Sequence, residues 1–189
     1  ITDGPLRLPI QDVYRQNETT RIFAGRIESG TLRVGDPLVF SPWNKTGFVK
    51  TIERWSAPPV TEAHAGDSIG ITLDAPLFVE RGQIASHLEN APVEADRFDA
   101  RLFWLGKQDL VPGKEYLLKI TSQEVVCRVV KIHQVVDVAT LGAVEAESVA
   151  RNQIAEVTIE TQRPIAIDDF GVVPQLGRFV LHAGARIEG

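Results

Sequence analysis

The sequence has few of the residues on which several protein classes depend. It contains 189 residues but a single cysteine, Cys127, and no methionine. One cysteine cannot form an intramolecular disulfide or a multi-cysteine metal site, which is typical of a reducing compartment. The length nevertheless allows two small domains that each bury a core. The lack of methionine and the opening Ile1-Thr2-Asp3-Gly4 predict that the chain is a piece of a longer protein.

Long apolar runs and a positive net charge are also missing. No apolar segment approaches the roughly 20 residues that span a bilayer, and the N-terminus lacks the basic start and apolar core of a signal peptide. We therefore predict a cytoplasmic protein without a membrane partner. The formal net charge is −5. This acidic balance weighs against nucleic acid as a partner, because phosphate-binding surfaces concentrate Lys and Arg.

Helical periodicity is scarce, and alternation of apolar and polar residues takes its place. It is clear in Leu6–Ile10, Ser68–Leu73 and Ala155–Gln162, where successive side chains of a strand would face opposite sides. Glycine and proline turns separate these short runs. The pattern predicts an all-β fold of two consecutive small antiparallel β-barrels. Ala139–Ala150 has helix-forming composition but contains Gly142, and we expect a loop with one helical turn at most.

The domain boundary is predicted where the alternation stops. The segment from His87 to Arg97 is polar and contains proline. We interpret residues 87–97 as a linker between a first barrel at 1–90 and a second barrel at 95–189. Each half has about the size at which one small barrel closes.

Short matches to nucleotide-binding motifs fail for chemical reasons. No Gly-rich loop ends in Gly-Lys-Ser/Thr, so no segment is built to cradle phosphates. Asn44–Gly47 resembles a guanine-reading motif, but a glycine stands where the base-binding Asp belongs, and a polar hairpin loop is the better interpretation. Asp169–Gly171 matches a kinase triplet whose companion motifs are absent. Asp168 and Asp169 would face opposite sides of a strand, which favours solvated acids at a strand end over a cation site.

The remaining candidates for catalysis or metal binding are equally isolated. His64, His87, His133 and His182 have no partner at metal-ligand spacing and are expected on strand faces. Cys127 alternates in phase with valines, which favours a buried apolar role over a nucleophile. The sequence therefore predicts no catalytic residue, no cofactor-binding residue and no metal site in this chain.

Exposed aromatic and basic residues are the remaining candidates for a partner surface. Trp104 alternates with apolar neighbours and is expected in the core, whereas Trp43 follows a Ser-Pro turn. Tryptophan often anchors protein interfaces. Arg21 and Arg26, with Arg33, form the densest basic cluster, for which a solvated strand face is the alternative explanation. The predicted interface residues are Trp43, Arg21 and Arg26.

The order of several glycine-containing segments in the first half resembles the second domain of translational GTPases such as elongation factor Tu. These segments are Leu8–Tyr14, Ala24–Gly30, Leu32–Asp36, Ala65–Gly70 and Val79–Gln83. Their glycines are expected where hairpin turns need a positive backbone dihedral or where the barrel packs closely.

The second half resembles the third domain of the large, GTP-binding subunit of sulfate adenylyltransferase. The segments that carry this resemblance are Ala100–Leu105, Pro112–Lys119, Val136–Leu141, Asn152–Ala155, Arg163–Asp168 and Gly177–Leu181. Arg21–Gly25, together with Ser29-Gly30, is also more similar to that subunit than to the elongation factor.

The resemblance implies chemistry outside this chain. In the sulfate adenylyltransferase family an N-terminal domain binds GTP with Mg²⁺, a separate small catalytic subunit uses ATP, and some members carry a C-terminal adenylylsulfate kinase. None of the family's nucleotide-binding motifs maps onto this sequence. The implied partners are the small subunit and the chain's own GTPase domain, and the implied role is to couple GTP hydrolysis to adenosine 5′-phosphosulfate synthesis. The alternative is a pair of barrels that bind tRNA or the ribosome in a translation factor.

Overall fold

The fold is that of a computed structural model, which describes residues 3–183. The predicted barrels extend to residues 1–2 and 184–189, which lie outside the described residues. Within the described part the only helical segments are the short 3₁₀ turns Leu88–Asn90 and Pro174–Leu176. Every strand pair whose register is resolved runs antiparallel. The prediction of two consecutive small antiparallel β-barrels is confirmed.

The strands among the described residues are β1 (Leu8–Pro9), β2 (Asp12–Arg15), β3 (Arg21–Arg26), β4 (Thr31–Arg33), β5 (Pro37–Ser41), β6 (Lys45–Arg54), β7 (Ala57–Val60), β8 (Glu62–His64), β9 (Ser68–Leu73), β10 (Ile84–His87), β11 (Val93–Phe103), β12 (Glu115–Ile120), β13 (Gln123–Asp137), β14 (Ala143–Val144), β15 (Gln153–Ile167) and β16 (Val180–Ala183). The three longest strands, β11, β13 and β15, lie in the second half of the chain.

Two compact units divide the chain. The first contains the residues up to Glu94 together with Ile120–Gln123 and Ile165–Phe179. The second contains Ala95–Lys119, Glu124–Pro164 and the residues from Val180 onward. The ends of β12, β13 and β15 thus belong to the first unit, and the rest of each belongs to the second.

The first unit is built on one long antiparallel sheet. Its strand order is β1-β10-β5-β6-β9-β3-β2, with β7 paired to β6 and a separate pair of β4 and β8. Alternating apolar side chains point to one side of these strands, and Leu8, Ile10, Phe40, Ile52 and Ile71 are fully buried there. Burial of such side chains stabilises the fold by about 1.5–3 kcal/mol each.

A second, smaller apolar cluster explains why residues 165–179 belong to the first unit. Ile84 packs with Ala166, Val173 and Leu176. The buried side chain of Gln123 acts like an additional strand residue: its amide nitrogen donates to the carbonyl of Ala166 at 2.8 Å, and its oxygen accepts from the Ala166 amide at 2.8 Å. These bonds satisfy groups that would be costly to bury unpaired.

Burial at β1 departs from the predicted alternation. Leu6, Leu8 and Ile10 are buried as expected, but Arg7 is only 3% exposed. Its partner is Asp168. The prediction of solvated acids at this strand end is therefore wrong for Asp168, whose side chain is 9% exposed, because a buried cation needs a nearby anion. It holds for Asp169, which is exposed and caps the turn at Gly171.

The second unit is built on one sheet with the strand order β11-β15-β13-β12-β16, and β14 pairs with β13 beside this series. The central strands β13 and β15 align the buried residues Val129 with Ile159 and Val135 with Ala155. Trp104 packs edge-on against a buried tyrosine, with ring centroids 5.7 Å apart and an interplanar angle of 82°. The prediction of Trp104 in the core is confirmed.

The two segments without alternation differ in their structure. Ala139–Ala150 is a loop that contains β14, and it begins within a single turn in which the Leu141 amide donates to the Asp137 carbonyl at 2.7 Å. The segment 87–97, interpreted as a linker, begins with the last residue of β10, continues through the 3₁₀ turn Leu88–Asn90 and enters β11 at Val93.

Glycines at the resemblance motifs have the two expected roles. Gly30 has φ +81°, which other residues rarely adopt. Gly25 of β3 has an ordinary dihedral, but a Cβ there would overlap the carbonyl oxygen of Pro9.

Candidate functional site

The structure places the three predicted interface residues at separate points of the first unit. Trp43 lies in the turn between β5 and β6 and is 58% exposed. Arg21 and Arg26 are both exposed but stand at opposite ends of β3, about 17 Å apart at 3.3 Å per residue. They also differ by five positions, so their side chains leave opposite faces of the strand. Arg33, on β4, pairs with Glu62 at 2.8 Å.

Only Arg21 belongs to a wider arrangement of side chains. Its guanidinium lies 5.5 Å from the ring centroid of Phe78, and the ammonium of Lys45 lies 5.3 Å from the same centroid. Lys45 also donates a hydrogen bond to the Phe78 carbonyl. The Phe78 ring remains 58% exposed. An exposed aromatic ring held by two cations is a common feature of binding surfaces.

This arrangement forms one wall of a cavity of about 710 Å³ in the first unit. The cavity lies between the β2–β3 loop, the middle of β6, the end of β9 and the segment that follows it. Its lining residues combine hydroxyl, charged and apolar side chains: Gln16, Glu18, Thr19, Thr20, Arg21, Phe23, Lys50, Thr51, Glu53, Thr72, Leu73, Asp74, Ala75, Pro76, Leu77 and Phe78. We call it the β6 cavity.

Hydrogen bonds among side chains of neighbouring strands preorganise the floor of the β6 cavity. The hydroxyls of Thr51 and Thr72 are 2.6 Å apart on neighbouring strands, and Thr51 also donates to Glu53 at 3.0 Å. Thr72 is buried, as is Phe23 on the neighbouring strand β3. In the wall, the side-chain oxygen of Asn17 accepts from the amides of Thr19 and Thr20 at 2.9 and 2.8 Å. A rigid floor lowers the entropy cost of binding.

A constellation of Asp, Thr and His in the second unit resembles a catalytic triad but has the wrong connectivity. The Thr158 hydroxyl donates to Asp99 Oδ1 at 2.5 Å and lies 2.7 Å from His133 Nε2. In a triad the acid orients the imidazole through its second nitrogen, whereas here acid and imidazole both bind the hydroxyl. The Thr158 hydrogen bond, ahead of the nearby His133, lowers the pKa of Asp99 below its ordinary value of 3.8.

The other sequence candidates are structural. Cys127 is 1% exposed, and burial raises the pKa of its thiol to about 11, so its predicted apolar role is confirmed. Asn44 ends the turn before β6, whereas residues 45–47 already belong to that strand, so the predicted hairpin loop at Asn44–Gly47 is correct only for Asn44. His87 contacts Asp36 at 2.8 Å, and His64 lies 3.1 Å from Glu62.

Residues 3–183 lack two further kinds of site. They contain no group of three His, Cys, Asp or Glu side chains arranged to hold a metal ion. They also contain no helix long and apolar enough to cross a membrane.

Sequence reasoning did not find the β6 cavity or the pairing of Arg7 with Asp168. Both are assembled from segments far apart in the sequence, and no motif joins them. The one signal available was the short basic stretch that begins at Arg21.

Two family models match successive parts of the chain. Residues 21–86 match elongation factor Tu domain 2, and residues 97–187 match the GTP-eEF1A C-terminal domain-like family. The first match includes β3 through most of β10, and the second includes most of β11 and the strands that follow it through β16.

Curated relatives fall into two functional groups at similar identity. A bifunctional enzyme NodQ of Azospirillum brasilense is 32% identical over 95% of this chain and 29% of its own length. Elongation factor 1-alpha of Archaeoglobus fulgidus is 34% identical over 96% of this chain and 44% of its own length. Sulfate adenylyltransferase subunit 1 of Shewanella oneidensis is 34% identical over 94% of this chain and 37% of its own length. The chain thus spans less than half of each.

Solved structures agree in fold. A structure of Sup35 complexed with GDP covers 97% of this chain, and the chain covers 45% of that structure, with a TM-score of 0.88 at 20% identity. This likeness concerns the fold alone. The chain therefore has the fold of a translation-factor-type pair of β-barrels, and its two halves are similar, in order, to elongation factor Tu domain 2 and to the GTP-eEF1A C-terminal domain-like family.

Proposed function

We propose that this chain is the non-catalytic β-barrel portion of the GTPase subunit of a sulfate adenylyltransferase. In this role it couples GTP hydrolysis on a GTPase domain of the same protein to adenosine 5′-phosphosulfate synthesis on a small catalytic subunit. GTP with Mg²⁺ and ATP are then cofactors of those other parts, and the complex works in the cytoplasm. Similarity to NodQ and to sulfate adenylyltransferase subunit 1 supports this role.

Elongation factor 1-alpha is as similar, so identity alone does not choose between sulfate activation and translation. The pairing of surface charges in the second unit is the observation that favours sulfate activation over translation. Four of the nine Lys and Arg side chains in the described part of that unit each face a glutamate: Arg97 with Glu160 at 3.7 Å, Arg101 with Glu156 at 2.7 Å, Lys119 with Glu124 at 3.5 Å and Arg128 with Glu115 at 2.9 Å. The other five, Lys107, Lys114, Lys131, Arg151 and Arg163, form no ion pair with another described residue.

Such pairing favours a protein partner over a polyanion. A surface that binds RNA presents unpaired Lys and Arg, whose release of counterions from the phosphates drives binding. Here the neighbouring glutamates reduce the positive potential that phosphates would encounter, and the whole chain carries a net charge of −5. Exposed ion pairs contribute little to the stability of the fold, about 0–1 kcal/mol each. Their main effect is to determine which partner the surface binds.

The test uses the full-length protein that contains this chain, co-purified with the small subunit encoded beside it. We expect formation of adenosine 5′-phosphosulfate from ATP and sulfate to increase on addition of GTP, and not on addition of a non-hydrolysable GTP analogue. A rate that is unaffected by GTP would contradict the proposal.

The alternative of tRNA or ribosome binding is tested separately. In a filter-binding titration of the same protein with tRNA, we expect weak binding at low salt and none at physiological salt. Tight binding with a steep dependence on salt concentration would favour the translation role.

A further inference from the structure

We propose that Thr31 is a site of covalent acylation, where a hydroxyl activated by His64 and Glu62 takes an acyl group from an acyl phosphate. The three side chains belong to the two-stranded sheet of β4 and β8 in the first unit. This inference goes beyond the proposed function and does not depend on it. The family matches and the relatives described above do not assign such a site.

The register of β4 and β8 places the side chains on one face of this sheet. Thr31 lies directly opposite His64, and Arg33 lies directly opposite Glu62. Directly opposed residues, and residues two positions apart on one strand, point to the same face. Thr31 is half-buried, and 47% of the His64 side chain and 40% of the Glu62 side chain are exposed. Solutes therefore reach the site without any opening of the fold.

His64 makes one contact through each of its ring nitrogens. Nδ1 lies 3.1 Å from the Thr31 hydroxyl, and Nε2 lies 3.1 Å from Oε1 of Glu62. Because an ionised carboxylate can only accept, the single proton of the neutral imidazole is on Nε2. Nδ1 is then the acceptor, and the Thr31 hydroxyl donates to it. Glu62 thus holds the imidazole in the tautomer that can remove the hydroxyl proton.

This connectivity is the one by which an imidazole activates a hydroxyl. In a catalytic triad the acid binds one ring nitrogen and the hydroxyl binds the other. The cluster around Thr158 lacks this order, because its hydroxyl donates to the acid rather than to the imidazole. The two ring nitrogens of His64 exchange their roles relative to serine proteases, but the proton follows the same path. Thr31 therefore has a base in position and Thr158 does not.

Arg33 completes the network and adds a positive charge to it. Its Nε donates to Oε2 of Glu62 at 2.8 Å, so the two oxygens of that carboxylate bind different partners. The Arg33 side chain is 59% exposed. It is two positions from Thr31 on the same face, about 7 Å along the strand. A compound that reacts at Thr31 with an anionic group at that distance is attracted by the guanidinium.

This charge selects the class of acyl donor, because the leaving group of an acyl phosphate is an anion of the kind that Arg binds. The Thr31 oxygen attacks the carbonyl carbon, and its proton passes to Nδ1 of His64. The bond between that carbon and the phosphate oxygen breaks. Phosphate leaves with the electron pair and takes the proton from the imidazolium. The products are an ester on Thr31 and inorganic phosphate, and nothing is oxidised or reduced.

The first experiment incubates the full-length protein with acetyl phosphate and follows acetylation by peptide mass spectrometry. We expect Thr31 to react about a hundredfold faster than Thr140. Thr140 is exposed, and its hydroxyl forms no hydrogen bond to an imidazole of the described residues. Hydroxylamine removes an ester from threonine and leaves acetyl-lysine intact. Equal rates at the two threonines, or acetylation confined to lysine, would overturn the proposal.

Variants of the network test the separate roles of the base and the acid. His64→Gln should reduce acetylation of Thr31 about a hundredfold, and Glu62→Gln should reduce it about tenfold or more. Thr46→Val removes an exposed threonine outside the network and should leave the rate unchanged. Thermal unfolding identifies a variant that fails to fold. A folded His64→Gln protein that is acetylated at the wild-type rate would contradict the role of the base.

A spectroscopic measurement on the wild-type protein does not depend on any variant being folded. The nitrogen chemical shifts of the His64 ring report which nitrogen carries the proton. We expect the proton on Nε2 in the wild type and a mixture of both tautomers in Glu62→Gln. A proton on Nδ1 in the wild type would leave Thr31 without a base and would overturn the proposal.

The class of donor is tested by comparison with p-nitrophenyl acetate, which is uncharged. Arg33→Gln weakens the support of Glu62 for both donors, but it removes the attraction for the phosphate of acetyl phosphate alone. We therefore expect this variant to slow the reaction of Thr31 with acetyl phosphate about tenfold more than the reaction with p-nitrophenyl acetate. Equal losses with the two donors would overturn the assignment to acyl phosphates.

Discussion

The guanidinium of Arg7 forms a bidentate ion pair with the carboxylate of Asp168, 161 positions later in the chain. Nε donates to Oδ2 at 2.6 Å and Nη2 donates to Oδ1 at 3.0 Å. The remaining nitrogen, Nη1, donates to the carbonyls of Leu6 and Asn90 at 2.8 and 2.5 Å. The pair is buried, with 4% and 9% of the two side chains exposed. It fastens the start of the first unit to its late segment Ile165–Phe179.

Loss of this ion pair should destabilise the first unit strongly. We expect Asp168→Ala to lower the free energy of unfolding by about 3 kcal/mol, because it leaves the buried charge of Arg7 without an anion. The double variant R7M/D168L should lose less than the sum of the single variants. Urea unfolding of the chain measures both, with Glu94→Ala as an exposed control. Additive losses would show that the two side chains do not stabilise each other.

Close packing at β3 should make Gly25 intolerant of any side chain. A Cβ at Gly25 overlaps the Pro9 carbonyl, which belongs to the backbone of β1 and cannot rotate away. We expect Gly25→Ala to lower stability by about 2 kcal/mol. Gly142→Ala is the matched control, since its nearest neighbour would be the Thr140 hydroxyl at 3.6 Å. Equal melting temperatures for the two variants would contradict the packing argument.

The thiol of Cys127 should be unreactive in the native protein. With a pKa of about 11 and 1% exposure, only about one thousandth of it is thiolate at pH 8, and the reagent has no access. We expect dithionitrobenzoate to label Cys127 only as fast as the chain unfolds. An Ala139→Cys variant, with its thiol in an exposed loop, should react at once. Fast labelling of the wild-type chain would indicate that the β13 region opens readily.

Stability should fall at acid pH partly through Asp99. Because the pKa of Asp99 is lower in the folded chain than its ordinary value of 3.8, the folded state binds fewer protons there than the unfolded state does. The contribution of Asp99 to the free energy of unfolding is therefore complete above pH 3.8. It is lost as the pH falls through the pKa that Asp99 has in the folded chain.

Removing the Thr158 hydroxyl should weaken this dependence. We expect Thr158→Val to raise the pKa of Asp99 towards its ordinary value, because the hydroxyl hydrogen bond is the largest cause of the lowering. An NMR titration of the Asp99 carboxyl measures the pKa directly, and Thr140→Val in an exposed loop serves as the control. An unchanged Asp99 titration in Thr158→Val would disprove this assignment.

Local pattern was sufficient for the fold class and for several individual residues. Alternation identified the buried sides of β1, β9 and β15, because a strand in which one face is buried must place apolar residues at every second position. The same reasoning placed Trp104 and Cys127 in the core. Gly30 followed from turn chemistry, since a positive φ nearly requires glycine.

The errors and omissions concern residues whose environment is set by distant segments. Alternation put Arg7 on the outer face and Asp168 in solvent, but tertiary folding covers both with chain from the other end of the sequence. Arg21 and Arg26 are neighbours in the sequence, yet they stand about 17 Å apart at opposite ends of β3. A periodicity of two describes a strand and its two faces but not what lies against either face.

The sequence by itself determined that this protein is a pair of antiparallel β-barrels, because strand periodicity and turn residues are local properties. Only the tertiary structure decided which charges are paired and which remain free. Arg7 and Asp168 meet across 161 positions, whereas Arg21, Lys50 and Glu53 surround a cavity without forming an ion pair among themselves. Coulombic attraction depends on distance in space and on burial, and neither can be read from separation along the chain.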